Sequence, residues 1–283
     1  MTTRRILVFA LPLLLALAAR PIPSPAQTAD ASLVKRALAS ELQSSQDTQH
    51  PMRYRLHKSS PRLSTTKEIF ESKDGAVARL VAINNKPLNA TDTQTEQDRL
   101  DALVRDPGRQ RHRKQSEDED LARVTKVLRA LPNAFTYRYV GPGVGPTGKV
   151  EKFVFEPNPA FDPPDLETEV LSAMAGELWI DASQERVARL EGHLTRAVDF
   201  GWGILGRLDK DGWIVIEQSD VGNGVWRVVH FQMAMSGRVV LRTKHFETTE
   251  DESNFSPVPM GLGYAQAIEM LKSGPETEEA GSK

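Results

Sequence analysis

The stretch VARLEGHLTRAV, residues 187–198, decides the fold. Leu190, Gly192, Leu194 and Val198 fall on one side of an extended chain; Arg189, Glu191, His193 and Thr195 fall on the other. This alternation marks an antiparallel strand with one face on a core and one in water. Glu177–Asp181 precedes it across the turn Ala182-Ser183-Gln184, and Trp213–Gln218, Val225–Met235 and Arg238–Thr248 follow as further strands. Asp209-Lys210-Asp211-Gly212, Gly222-Asn223-Gly224 and Ser236-Gly237 supply turn residues between them, so the region reads as a meander.

Working outward, Met52, Tyr54 and Leu56 alternate with Arg53, Arg55 and His57, and Leu63–Ser72 and Ala76–Ile83 continue as strands around the turn Lys73-Asp74-Gly75. Before them, Leu33, Val34, Ala37, Leu38 and Leu42 recur at helical spacing within Ala29–Leu42. Asn89–Leu131 reads as a charged helical insertion with two patterns: Leu100, Leu103 and Val104, then Leu121, Val124, Leu128 and Leu131, the second opened by Ser116 and Glu119 as a capping box. The basic run Arg105–Lys114 between them reads as a solvated loop, and the acidic run Glu117–Asp120 sits where a helix N-terminus favours negative charge. Phe135–Val140 and Val150–Glu156 are strands joined by the Gly-Pro segment Gly141–Gly148, and Asp165–Ala175 is a short helix. Pro257 and Pro259 close the sheet, Gly263–Lys272 is a last helix, and Gly274–Lys283 reads as a disordered tail.

Residues 1–26 read as a secretory signal: Arg4 and Arg5, the apolar stretch Ile6–Ala19, then the small residues of Ser24-Pro25-Ala26. Removing it leaves 33 basic against 38 acidic residues, a balance that disfavours nucleic acid. With 39% hydrophobic and 26% charged residues and no other apolar run of about 18 residues, an integral membrane protein is excluded and membrane contact is at most peripheral. The absence of cysteine removes disulfides, thiol nucleophiles, thiolate metal sites and lipoprotein acylation.

The chemical motifs resolve to structure. Gly143–Lys149 has phosphate-loop spacing, but Val150 replaces the magnesium-binding hydroxyl and begins a strand where a helix N-terminus is required. Asp209–Gly212 starts like a calcium loop and continues with Trp213, Val215 and Ile216, which carry no ligand oxygens. The six histidines show no close ligand spacing, and no G-x-S-x-G elbow occurs. Neither a metal nor a cofactor is expected, and no enzymatic activity.

Order of elements, with Gly176–Asp181 (GELWID) and Gly237–Arg242 (GRVVLR) leading to Phe255-Ser256-Pro257, resembles the bacterial LolA-like family of periplasmic lipoprotein-sorting and carrier proteins over Ala29–Pro259. The resemblance implies a strongly curved antiparallel half-barrel whose helices form a lid over an apolar cavity for acyl chains. The family's cavity arginine on an early strand has three counterparts here: Arg53, Arg55 or Arg79.

The fold expected is α+β: a signal peptide (1–26), one domain (27–260) with a curved antiparallel sheet of roughly nine to eleven strands covered by helices, and a short helix and tail (261–283). The function expected is non-enzymatic binding of a lipid or acyl chain by an exported, periplasmic or secreted protein. Its candidate lining is Leu56, Leu80, Leu190, Leu194, Phe231, Met233 and Met235. The alternative is an envelope scaffold or regulatory module that binds a protein through a sheet edge or the charged insertion. A third reading, a secreted hydrolase, rests on unpaired carboxylates and histidines alone.

Overall fold

Strand β1 (Met52–Ser60) lies between its hairpin partner β2 (Leu63–Phe70) and the distant β13 (Arg242–Pro257), and this junction organises the sheet. The computed structural model describes residues 25–200, 206–239 and 242–273, so most of the signal, residues 1–24, and the tail from 274 lie outside it. On one side of the junction run β2, β3 (Val77–Ile83) and the two-residue β4 (Lys86–Pro87). On the other run β13, β12 (Trp226–Val239), β11 (Trp213–Asp220), β8 (Arg186–Leu194), β7 (Met174–Asp181), β6 (Gly148–Pro157) and β5 (Phe135–Gly145). A small hairpin of β9 (Val198–Phe200) and β10 (Gly206–Leu208) attaches to β12. The result is a curved antiparallel 13-stranded sheet, not closed into a barrel.

Because β4 and β5 sit at opposite edges, the chain between them must traverse the sheet. It does so as α2 (Ala90–Arg105) and α3 (Pro107–Ala134), separated by Asp106 alone. The basic run Arg105–Lys114 is therefore not a loop. Asp106 accepts a hydrogen bond from the Arg109 amide at 3.1 Å and Pro107 occupies the first helical turn, so α3 starts about nine residues before the Ser116 capping box. Gln110 is buried, with its amide nitrogen donating to Asp74 O at 3.0 Å.

The insertion's charges cap the exposed side of β3 and of Ala76, which leads into it. Glu117 accepts from the Ala76 amide (3.0 Å) and Glu96 from the Leu80 amide (2.7 Å), while Arg113 and Arg99 donate to Ala76 O (3.1 Å) and Ala78 O (2.6 Å). An unpaired strand edge is a template for aggregation, and here side chains take the place of a further strand.

Two other sequence expectations shift. The Gly-Pro segment belongs largely to β5 and β6, whose turn is only Pro146-Thr147; Gly141 sits at a bulge with φ +143°, open to glycine, and lets the strand continue. Ser236-Gly237 lies inside β12. A Cβ on Gly237 would meet Arg207 O at 2.5 Å, so this glycine permits the close approach of β10, a hairpin the alternation did not announce. The Asp165–Ala175 helix is one α-turn, α4 (Leu166–Glu169), capped by Asp165, followed by a 3-10 turn to Ala173.

Two cores flank the middle of the sheet. Helix α1 (Pro25–Ser44), through Val34, Ala37 and Leu38, and the end of α3 pack on β5–β8 around Phe153, Phe155 and Leu178. Helix α5 (Tyr264–Lys272) and α2 pack with Phe70 and Val77, burying Leu100, Leu103, Ile268 and Leu271. Glu41 fixes α1 to the sheet: at 8% exposure its carboxylate accepts from Arg186 (2.9 and 3.1 Å), from the Val187 amide (2.9 Å) and from Gln218 (3.0 Å). Glu41→Ala would leave Arg186 buried without its counter-ion, and urea denaturation is expected to show a loss of about 3–5 kcal/mol.

Candidate functional site

Between the two cores lies a cavity of about 1270 Å3. The apolar part of its sheet wall follows from register. Leu190, Ile216 and Phe231 are successive cross-strand partners on β8, β11 and β12, and Ile214 and Met235 extend the same face. On β12 a bulge at Val229, where Glu217 pairs with His230 and Gln218 with Val228, reverses the parity. Val228 therefore shares this face with Phe231 although the two differ by an odd number of residues.

The opposite wall is α3. Leu121, Val124 and Leu128 stand at helical spacing and all line the cavity, with Leu121 and Val124 left 40% and 51% exposed. The helical pattern was legible in the sequence; its opposition to β11 and β12, some 90 residues away, had no local signal. Ile214 and Ile216 were legible as one face of a strand, and Val228 was hidden by the bulge.

Of the seven residues expected to line a ligand site, Leu190, Phe231 and Met235 stand on the cavity wall. Leu194 is fully buried in the α1–β8 core. Met233 faces the same side, paired with Ile214, but falls outside the lining. Leu56 and Leu80 also lie outside it, for a reason the register shows. Beyond Phe231 the same face of the sheet carries Glu250 and Glu252 on β13, opposite Lys58 and Leu56 on β1, and Lys67 of β2 stands between Leu56 and Leu80. Lys58 pairs with Glu250 at 2.6 Å. The apolar surface ends at this charged row.

The three arginines that could match the family's cavity residue converge elsewhere. Arg53, Arg55 and Arg79 all reach Glu68, at 3.4, 3.3 and 3.0 Å, on the face opposite Leu56, and none lines the cavity. Arginine does reach the cavity from β12: Arg227 donates to His50 O at 2.7 Å and lies 3.8 Å from Glu71, which accepts from the Met52 amide at 2.8 Å. Arg227, Glu71, Asp47, Glu41 and Gln218 belong to the polar part of the lining, to which α3 adds Lys114, Glu117, Asp118 and Arg123. Trp226, also on the wall, has a buried indole N–H with no partner among the described residues. Among the described residues, no three His, Asp or Glu side chains are grouped to hold a metal ion, and no helix is long and apolar enough to cross a membrane.

Burial, reinforced by Glu250 and Glu71, pushes Glu252 up to about 7. Burial also raises Glu71, against the pull of Arg227, and raises the Tyr54 phenol, to which the Glu252 and Glu71 charges add. The carboxylates at this pole of the sheet thus share too few cations to ionise freely.

No family model matches the chain, and no curated protein matches it. Among solved structures, an outer membrane lipoprotein-sorting protein domain from Vibrio parahaemolyticus aligns over 84% of this chain and 99% of its own, at 11% identity and a TM-score of 0.29. The structure of MucB in complex with MucA(peri) aligns over 79% and 93%, at 10% identity and a TM-score of 0.22. These similarities are distant, and the account of the site rests on its own geometry.

Glu252 binds its proton more tightly in the folded protein than at its ordinary value of 4.5. The folded state therefore holds a proton that the unfolded chain has released between about 4.5 and 7, and stability falls as pH rises through that window. Urea midpoints measured across it are expected to decline, and Glu252→Gln to flatten the decline.

Proposed function

We propose that this protein is a non-enzymatic carrier that binds a lipid or acyl chain in the cell envelope. The observation that carries the reading is the cavity itself. It exceeds the roughly 300–1,000 Å3 of ordinary small-molecule pockets, and apolar side chains face each other across it: Leu190, Ile216, Phe231 and Met235 from the sheet, Leu121, Val124 and Leu128 from α3. Leaving such surface in water is unfavourable by about 25 cal/mol per Å2, so a long hydrocarbon chain is the occupant it favours. Phe231 and Met235 present adaptable, polarizable surface suited to chains of differing length. The polar part of the wall, with Arg227 already engaged by His50 and Glu71, keeps the head group at the margin.

The competing protein-binding reading has less support at β3, since the edge offered for strand addition is already capped by α2 and α3. Native mass spectrometry of mature protein purified from the envelope fraction, followed by lipid extraction, tests the carrier reading. Near-stoichiometric acyl species are expected. Phe231→Ala combined with Met235→Ala should weaken binding of a fluorescent fatty acid about tenfold or more while circular dichroism stays unchanged. Unaltered affinity in that variant would remove the cavity from consideration.

A further inference from the structure

We propose that Arg53 and Arg55, with Arg79 behind them, form a binding site for a phosphate monoester on the face of the sheet opposite the cavity. Register assembles it. Glu68 of β2 is the direct partner of Arg55 on β1 and of Arg79 on β3, and Arg53 stands two residues before Arg55 on the same face. All three guanidiniums therefore meet one carboxylate, whose side chain is 7% exposed. Like charges at neighbouring positions of one face repel, and Glu68 is what holds these together.

One carboxylate does not neutralise three cations. Each guanidinium spends a single terminal nitrogen, Nη2, on Glu68, at 3.4 Å for Arg53, 3.3 Å for Arg55 and 3.0 Å for Arg79. None of them makes another hydrogen bond among the described residues. The contacts are one-pronged and longer than the roughly 2.7–2.9 Å of a strong charge-assisted bond. Arg79 Nε is buried without a partner among the described residues, a further mark of donors outnumbering acceptors. Where β13 pairs with β1, this face holds one other carboxylate, Asp251, opposite His57, and His230 engages it at 2.7 Å. Glu247 lies further along β13, past Thr249, the last partner of β1. The excess charge points outward, since the side chains of Arg55 and Arg53 are 46% and 27% exposed. Beside them on β13, the exposed Ser253 pairs with Arg55 and the exposed Ser256 with Arg53, so hydroxyl donors border the same patch. A phosphate monoester carries about −1.5 to −2 charges at pH 7 and three strong acceptor oxygens, which matches both the surplus charge and the spread of donors. A carboxylate brings one charge and fills one guanidinium fork. None of the three arginines lines the cavity, so this inference does not rest on the carrier reading.

Isothermal titration calorimetry of the mature protein with inorganic phosphate, and with acetate for comparison, tests the site. Saturable binding of phosphate alone, weakened by salt, is expected. Arg55→Gln, at an exposed position, should lower the affinity about tenfold or more while circular dichroism stays unchanged. Arg138→Gln, exposed on β5, should match the parent. Flotation with phosphatidylcholine vesicles containing phosphatidic acid or, at equal mole fraction, phosphatidylglycerol identifies the source of the group. Flotation with phosphatidic acid alone assigns the monoester to a lipid head group; phosphate binding without flotation assigns it to a soluble ester. No saturable phosphate binding, equal binding of acetate, undiminished affinity in Arg55→Gln or equal flotation with both lipids would overturn the proposal. The Phe231→Ala, Met235→Ala variant should bind phosphate as the parent does, so the carrier reading can fail without this one, and this one without the carrier reading.

Discussion

The pairing of β1 with β13 is the constraint from which the rest of the structure follows. It joins the N-terminal hairpins to the end of the C-terminal meander, strands about 190 residues apart in the chain. That places β4 and β5 at opposite edges, so the intervening residues must cross from one side of the sheet to the other. The helical insertion is a necessary bridge, and its length is set by the span. The same pairing contains the bulge between Arg53 and Arg55, where Asn254 adopts φ +57° and Phe255 stacks on Tyr54 at 5.4 Å. An Asn tolerates that left-handed conformation at lower cost than most residues, and the local twist it adds helps curve the sheet.

A curved sheet has one face to cover, and here the covering is divided. α1 and the end of α3 serve β5–β8, and α2 and α5 serve the Phe70–Val77 corner. Strands β11 and β12 receive only the distant side of α3, and the space between them is the cavity. Its far limit is chemical rather than steric. Once the inner face passes from Phe231 to Glu250, apolar surface gives way to ion pairs, and nothing hydrophobic continues the pocket toward Leu56 and Leu80.

The fold was legible wherever a single strand could be read against its own period. Arg189/Leu190/Glu191 and Ile214/Val215/Ile216 declare their faces locally, and so do the apolar stripes of α1 and α3. What escaped were features made by contact between distant segments. Gly237 looks like a turn residue until β10 is laid beside it. Val228 changes face only because a bulge intervenes. The basic run 105–114 reads as solvated until Arg113 is seen bonded to the Ala76 carbonyl, just before β3. Three of seven lining residues were placed on the wall because alternation along one strand is reliable. The other four show that being on an apolar strand does not say which portion of a face remains uncovered.

The charges complete the argument, because they explain how helices can be held over a sheet without filling the space beneath them. Three helices each present a carboxylate to a backbone amide of the sheet or its edge: Glu41 of α1 to Val187, Glu96 of α2 to Leu80, and Glu117 of α3 to Ala76, just before β3. Glu71, just after β2, does the same for Met52 of β1. Glu41, Glu96 and Glu71 also have arginine beside them, Arg186, Arg99 and Arg227, which offsets the cost of removing the charge from water. Such clamps are directional and act at the helix periphery, unlike apolar packing, which requires surfaces to meet. A scaffold fastened at its rims in this way can leave its central apolar surfaces apart, and a cavity needs that separation if it is to admit a chain.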